Sequence, residues 1–211
     1  MFPKLYAIID VTTLAARGGA EPLLQRVCCF ARELAAGGVT LMQYRAKELG
    51  AREMLQHARE LRRILPAEVK LIMNDRADLC LAAGFDGVHV GQEDLSPESV
   101  RAIIGPKRML GVSTHNIEQL RAAAQTSADY LAIGPVYGTA SKMNPDPVVG
   151  LEGVKAAREL IGPERTLVAI GGIGPEQARD VLRAGATSVA IIGALLDSPR
   201  QSAAHFLSIL L

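Results

Sequence analysis

The chain has 211 residues, of which 49% are apolar, enough to bury one substantial core. Its 23 basic and 22 acidic side chains nearly cancel, so it lacks the one-signed field that gathers nucleic acid or an anionic membrane. No apolar run reaches the length of a membrane span, and the start "KLYAIID" has no basic and apolar leader, so the expectation is a cytoplasmic protein that binds small molecules, with no nucleic acid and no membrane partner.

Short runs rich in Val, Ile and Leu read as strands: "LYAII" (5–9), "VTLMQY" (39–44), "KLIMN" (70–74), "GVHV" (87–90), "MLGVS" (109–113), "YLAI" (130–133), "LVAI" (167–170) and "SVAII" (188–192). Each is followed by an amphipathic stretch, placing helices at about 22–36, 52–65, 76–83, 97–104, 117–125, 151–161, 175–184 and 199–210. Several of these open with Pro or a capping Ser, Thr or Asp.

Eight strand–helix units predict an α/β fold, a single (β/α)8 TIM barrel over residues 1–211, with a doubly wound open sheet as the alternative. "AAGGVTLMQ", "LAAGFDGVHV" and "RAGATSVAI" repeat one tight helix-to-strand connection. In a barrel those loops form the stability face, and the opposite, strand-to-helix loops carry chemistry. Cys28, Cys29 and Cys80 show no metal spacing and read as buried reduced thiols.

The strand-to-helix junctions hold polar residues in a pattern. "QYRAK" places Gln43, Arg45 and Lys47 at alternating positions, on one side of an extended chain. "MNDR" supplies Asn74 and Asp75, and "VGQEDL" supplies Gln92, Glu93 and Asp94. Asn and Asp also cap helices, but adjacent loops of a barrel converge on one mouth, where Asp75 and Asp94 can share a Mg²⁺ ion completed by water and substrate phosphate. Ser113 follows on strand five, and "GPVYGTASK" adds Thr139, Ser141 and Lys142, a phosphate-binding set of hydroxyls, free amides and an ammonium. Gly171, Gly172, Gly174 and Gly193, after strands seven and eight, suit a second phosphate. Two phosphate sites and a metal imply two phosphorylated small-molecule substrates.

"QYRAK", "MNDR", "GVHVGQEDL", "GVSTHN", "GPVYGTASK", "DPVVGL" and "AIGGI", in this order, resemble the thiamine phosphate synthase family across essentially the whole chain. The resemblance implies a Mg²⁺-assisted transferase. It joins 4-amino-5-hydroxymethyl-2-methylpyrimidine diphosphate to a thiazole phosphate, releasing pyrophosphate through a dissociative bond cleavage. It implies that Gln43, Arg45, Lys47, Asn74, Ser113 and Lys142 hold the pyrimidine diphosphate, with Arg45, Lys47, Ser113 and Lys142 assisting catalysis. Asp75 and Asp94 would bind the metal, and Thr139, Ala140, Ser141, Gly172, Ile192 and Gly193 the thiazole phosphate. The segment 139–150 would close over the mouth. The chain departs from the family pattern at Gly193, where the family usually has Ser, and at Ser141, often Thr. A related tautomerase family uses a His near the position of His115, and a phosphometabolite-binding barrel without turnover is the non-enzyme alternative. His89 reads as structural, and His57 and His205 as surface residues. Oligomeric state is not legible.

Overall fold

The computed structural model describes residues 2–138 and 146–211. Eight strands, β1 (Leu5–Asp10), β2 (Leu41–Arg45), β3 (Lys70–Asn74), β4 (Gly87–Val90), β5 (Met109–Thr114), β6 (Tyr130–Ile133), β7 (Thr166–Ile170) and β8 (Ser188–Ile191), pair in parallel in chain order. β1 also pairs with β8, with Leu5 opposite Val189, so the sheet closes into a (β/α)8 barrel. The open-sheet alternative is thereby excluded.

Around it lie α1 (Val11–Ala16), α2 (Leu23–Ala36), α3 (Ala51–Ile64), α4 (Ala77–Ala83), α5 (Pro97–Ile104), α6 (Ile117–Ala123), α7 (Gly150–Ile161), α8 (Pro175–Arg183) and α9 (Pro199–Leu210). Helix starts follow local chemistry: Ser96 accepts from Ser99 N–H before Pro97, and Asn116 accepts from Gln119 N–H. α1 is not foreseen from the sequence. It exists because Asp10, the last residue of β1, turns the chain and caps it through Thr13 N–H at 2.8 Å.

Alternation along the strands makes two cores. Leu5, Ala7 and Ile9 of β1 face the helices, whereas Tyr6 and Ile8 point into the barrel with Leu41, Ile72, Tyr130, Ala132, Val168 and Ala190. Tyr130 has room only because Gly111 lies opposite it on β5: a Cβ there would sit 2.1 Å from Tyr130 Cζ.

The helix-to-strand face is tied by three arginines near the ends of α3, α5 and α7. Arg158 donates to the carbonyls of Gly162, Arg165 (2.8 Å) and Gly185 (2.7 Å) and to Thr187 Oγ1 (3.0 Å). Arg101 reaches Gly105, Arg108, Ser127 and Asp129 in the same way, and Arg62 reaches Pro66, Val69 and Asp86. Each guanidinium binds its own helix's exit to the next strand and, in all three cases, to the loop beyond, which fixes the end of the barrel opposite the chemistry.

Some expectations need correction. Cys28 and Cys80 are buried, but Cys29 is exposed, because adjacent positions on α2 point about 100° apart and only one faces the barrel. His57 is buried rather than on the surface, its Nδ1 3.1 Å from the Tyr44 hydroxyl on β2; His205 is exposed as expected. No helix among the described residues is long and apolar enough to cross a membrane.

Candidate active site

At the C-terminal ends of the strands the barrel opens into a cavity of about 1040 Å³. Its floor is a smaller space inside the barrel, reached by Gln43, Arg45, Asn74, His89 and Ser113.

The β2 side supplies cations held by carboxylates. Arg45 Nη1 pairs with Asp10 Oδ2 at 2.5 Å, while Asp10 Oδ1 accepts from both Thr13 N–H (2.8 Å) and Thr13 Oγ1 (2.7 Å). Asp10 is 3% exposed and thus a rigid anchor, aiming the guanidinium up the wall of the mouth. Lys47 Nζ lies 2.7 Å from Asp75 Oδ2.

Asp75 itself sits in an unusual backbone. Its φ is +62°, the left-handed region that Asp tolerates better than most non-glycine residues. Across it Arg76 N–H bonds to the Asn74 carbonyl at 2.8 Å, a three-residue γ-turn, and Asp75 N–H is tied to the His89 carbonyl at 2.8 Å. The turn aims the carboxyl back over the mouth toward Asp94, and such strain persists only where its surroundings fix it. Burial raises the Asp75 carboxyl above the usual carboxylate range; Lys47 opposes this, and the neighbouring Asp94 carboxyl adds to the rise. Asp94 is oriented by Gly91 N–H, which donates to its Oδ2 at 2.7 Å.

Two crowded carboxylates, hard oxygen donors lining the mouth, fit a divalent cation that would relieve their repulsion. A pair of carboxylates suits Mg²⁺, an ion that keeps water and substrate oxygens in its shell.

Ser113 on β5 bonds through Oγ to His89 Nε2 at 2.8 Å. His89 does point into the barrel, and burial lowers its pKa to about 4, so the ring is neutral at pH 7. His115 lines the mouth with Nδ1 2.8 Å from the Gly134 carbonyl and 3.4 Å from Asp146. The β7 and β8 side is glycine: Gly171 and Gly172 both have positive φ, and a Cβ on Gly172 would meet the Gly138 carbonyl at 2.4 Å. Ile192 and Gly193 complete that wall, with Gly193 opening a 3₁₀ turn, Gly193–Leu195.

Gln43, Arg45, Lys47, Asn74, Asp75, Asp94, Ser113, Gly172, Ile192 and Gly193 are therefore all brought to one mouth and its floor. Thr139, Ala140, Ser141 and Lys142, with most of the expected closing segment, lie outside the described residues. Asp10, Tyr6 and Tyr130 escaped the sequence reading; the signal for Asp10 was a carboxylate at a strand's C-terminal end, where Asn74 and Asp75 were also found.

A family model described as thiamine monophosphate synthase matches residues 15–195. A thiamine-phosphate synthase of Koribacter versatilis is 58% identical over 208 residues, covering 99% of this chain and 96% of its relative. One from Moorella thermoacetica is 40% identical, over 95% and 91% of the two chains. Among solved structures, a thiamine phosphate pyrophosphorylase from Pyrococcus furiosus superposes with a TM-score of 0.82 at 32% identity, covering 98% of this chain and 95% of the other. With matches of this length and a mouth built from the expected strand ends, the chain belongs to the thiamine monophosphate synthase family.

Proposed function

We propose that the protein is a transferase that joins 4-amino-5-hydroxymethyl-2-methylpyrimidine diphosphate to 4-methyl-5-(2-phosphooxyethyl)thiazole, or its carboxylate, yielding thiamine phosphate and pyrophosphate. The observation that carries this reading is the convergence of a cation and carboxylate set from β2 to β4 with a glycine wall from β7 and β8 around one cavity of about 1040 Å³. That volume is at the upper end for a single ligand, and suits two reactants meeting face to face.

Arg45 and Lys47, pre-oriented by Asp10 and Asp75, face the diphosphate, with Lys142 of the undescribed segment as a third cation. Asn74 and Gln43, on the floor, suit the polar edge of the pyrimidine. Asp75 and Asp94 would hold Mg²⁺, which when bound neutralises charge on the diphosphate. The bond between the pyrimidine methylene carbon and oxygen breaks, and its electron pair leaves with pyrophosphate, where Arg45 and Lys47 stabilise the gathering charge. The methylene cation, stabilised by the ring amino group, is captured by the lone pair of the thiazole nitrogen, forming the new C–N bond. The thiazole phosphate rests on the backbone at Gly172, Ile192 and Gly193, with Thr139, Ala140 and Ser141 assigned to it by resemblance.

This chemistry removes no proton, and the site is arranged accordingly. His89 is buried and neutral with both ring nitrogens in hydrogen bonds, so it does not stand as a free base over the reacting carbon. Water is the competitor to exclude, since it would capture the same cation. The test is Asp75→Asn and Asp94→Asn, each measured for Mg²⁺-dependent affinity toward the pyrimidine diphosphate. The reading expects each to lose the Mg²⁺ dependence; affinity that still rises with Mg²⁺ in both variants would refute the metal assignment.

A further inference from the structure

The barrel interior carries three polar side chains, Tyr6, Tyr130 and His89, that the chemistry above leaves without a role. Gln43 Nε2 donates to the Tyr6 hydroxyl at 2.8 Å, and the Tyr6 and Tyr130 hydroxyls are 3.0 Å apart. The Tyr130 hydroxyl lies 3.1 Å from His89 Nδ1, and His89 Nε2 lies 2.8 Å from Ser113 Oγ. An unbroken hydrogen-bonded chain thus runs from β2 across the buried interior and up to the mouth.

Its direction follows from counting protons. A phenol has one proton to give, and a neutral imidazole has one N–H. Gln43 already donates to Tyr6, so the Tyr6 proton goes to Tyr130; otherwise it would be a buried donor with no partner among the described residues, which folded interiors avoid. Tyr130 then gives its own proton to His89 Nδ1. A ring accepting at Nδ1 carries its proton on Nε2, and that N–H donates to Ser113 Oγ. The Ser113 hydroxyl proton is left pointing to the cavity. The opposite direction would turn a serine lone pair toward the substrate.

We propose that this one-way relay makes His89 a positioning residue, held as its Nε2–H tautomer so that Ser113 acts as a hydrogen-bond donor to an acceptor-only phosphate oxygen. The identity of that acceptor rests on the reading under Proposed function; the direction of the relay does not. Within the relay Ser113 is the group that touches substrate, and His89, Tyr130 and Tyr6 act through it.

The test is the nitrogen NMR spectrum of ring-labelled histidine in the free protein, with the His89 signals assigned by their loss in His89→Gln. The expected result is a neutral Nε2–H ring in the wild type. In Tyr130→Phe, which keeps the ring and removes the donor to Nδ1, the expected result is loss of that preference and a fall in kcat on the order of tenfold. An Nδ1–H ring in the wild type overturns the proposal, as does a Tyr130→Phe protein with unchanged tautomer and turnover. The wild-type spectrum decides the direction even if Tyr130→Phe does not fold. Because it needs no substrate, a chain that shows the Nε2–H ring yet makes no thiamine phosphate would sink the functional reading and leave the relay standing.

Discussion

Gly111→Ala is the substitution whose outcome the geometry constrains most tightly. An added Cβ would lie 2.1 Å from Tyr130 Cζ and 2.4 Å from its Cε2 and hydroxyl oxygen, all well inside contact distance. Tyr130 cannot retreat, because Phe2, Tyr6 and His89 surround it with ring centroids 5.2, 6.0 and 5.5 Å away. Overpacking of this kind costs about 1–3 kcal/mol. Pushing the ring aside also breaks its bonds to Tyr6 and His89, adding roughly 1–3 kcal/mol for buried groups left unpaired. The sum, on the order of 2–6 kcal/mol, is a large share of a typical domain stability of about 5–15 kcal/mol. In a protein of this size each 1 kcal/mol moves the melting midpoint by roughly 2–4 °C, so a loss of at least about 4 °C is expected in a calorimetric or circular-dichroism melt. Adding Tyr130→Ala removes the obstacle, so the double variant should lose less than the two single losses added together. A Gly111→Ala midpoint equal to the wild type, or strictly additive losses, would refute the packing argument and with it the placement of Tyr130 in the relay.

Other perturbations separate stability from activity. His89 has its ring pKa lowered from 6.5 to about 4, so the unfolded chain binds a proton that the native protein refuses. Its contribution is complete above pH 6.5 and is lost as pH falls toward 4; urea midpoints across that window should decline by more in the wild type than in His89→Gln. Asp75 has the opposite sign: its raised pKa means that it destabilises the metal-free protein as pH rises through that value, so Asp75→Asn should melt no lower than the wild type at pH 7 without Mg²⁺ while losing turnover. Arg158→Ala removes four hydrogen bonds on the far face of the barrel, and should lower stability by about 3 kcal/mol while leaving KM of the folded fraction unchanged. At Gly193 nothing lies within 4 Å of an added Cβ, so Gly193→Ser should fold normally and lower KM for the thiazole phosphate, by up to about tenfold for one new hydrogen bond.

The sequence was most legible where local chemistry and the fold agree. Val- and Ile-rich runs bounded by Gly and Asp located every strand of the barrel, and Ser96 with Pro97 marked a helix start that the structure reproduces. α1 was missed because "VTTLAA" is too short to show a helical period and its cap, Asp10, doubles as a strand end. Facing was the harder question. Strands buried on both sides carry no apolar–polar alternation, so nothing in "GVHV" says whether His89 points inward, and nothing in "LYAIID" or "YLAI" marks Tyr6 and Tyr130 as inner residues. His57 was misplaced for a related reason: its buried partner, the Tyr44 hydroxyl, lies on the preceding strand, whose facing the sequence does not reveal. The site residues were legible because barrels collect strand C-termini at one mouth, whereas the pairing of Arg45 with Asp10 and of Lys47 with Asp75 became visible only once β1, β2 and β3 lay side by side.

The central claim is that one mouth couples two phosphorylated reactants. It is tested most directly by mixing the purified protein with the pyrimidine diphosphate, the thiazole phosphate and Mg²⁺ and following both products, with a chelator and the omission of each reactant as controls. The account predicts thiamine phosphate and pyrophosphate in equal amounts, abolished by the chelator or by omitting either reactant. Absence of thiamine phosphate, or its undiminished formation after Mg²⁺ is removed, would contradict it.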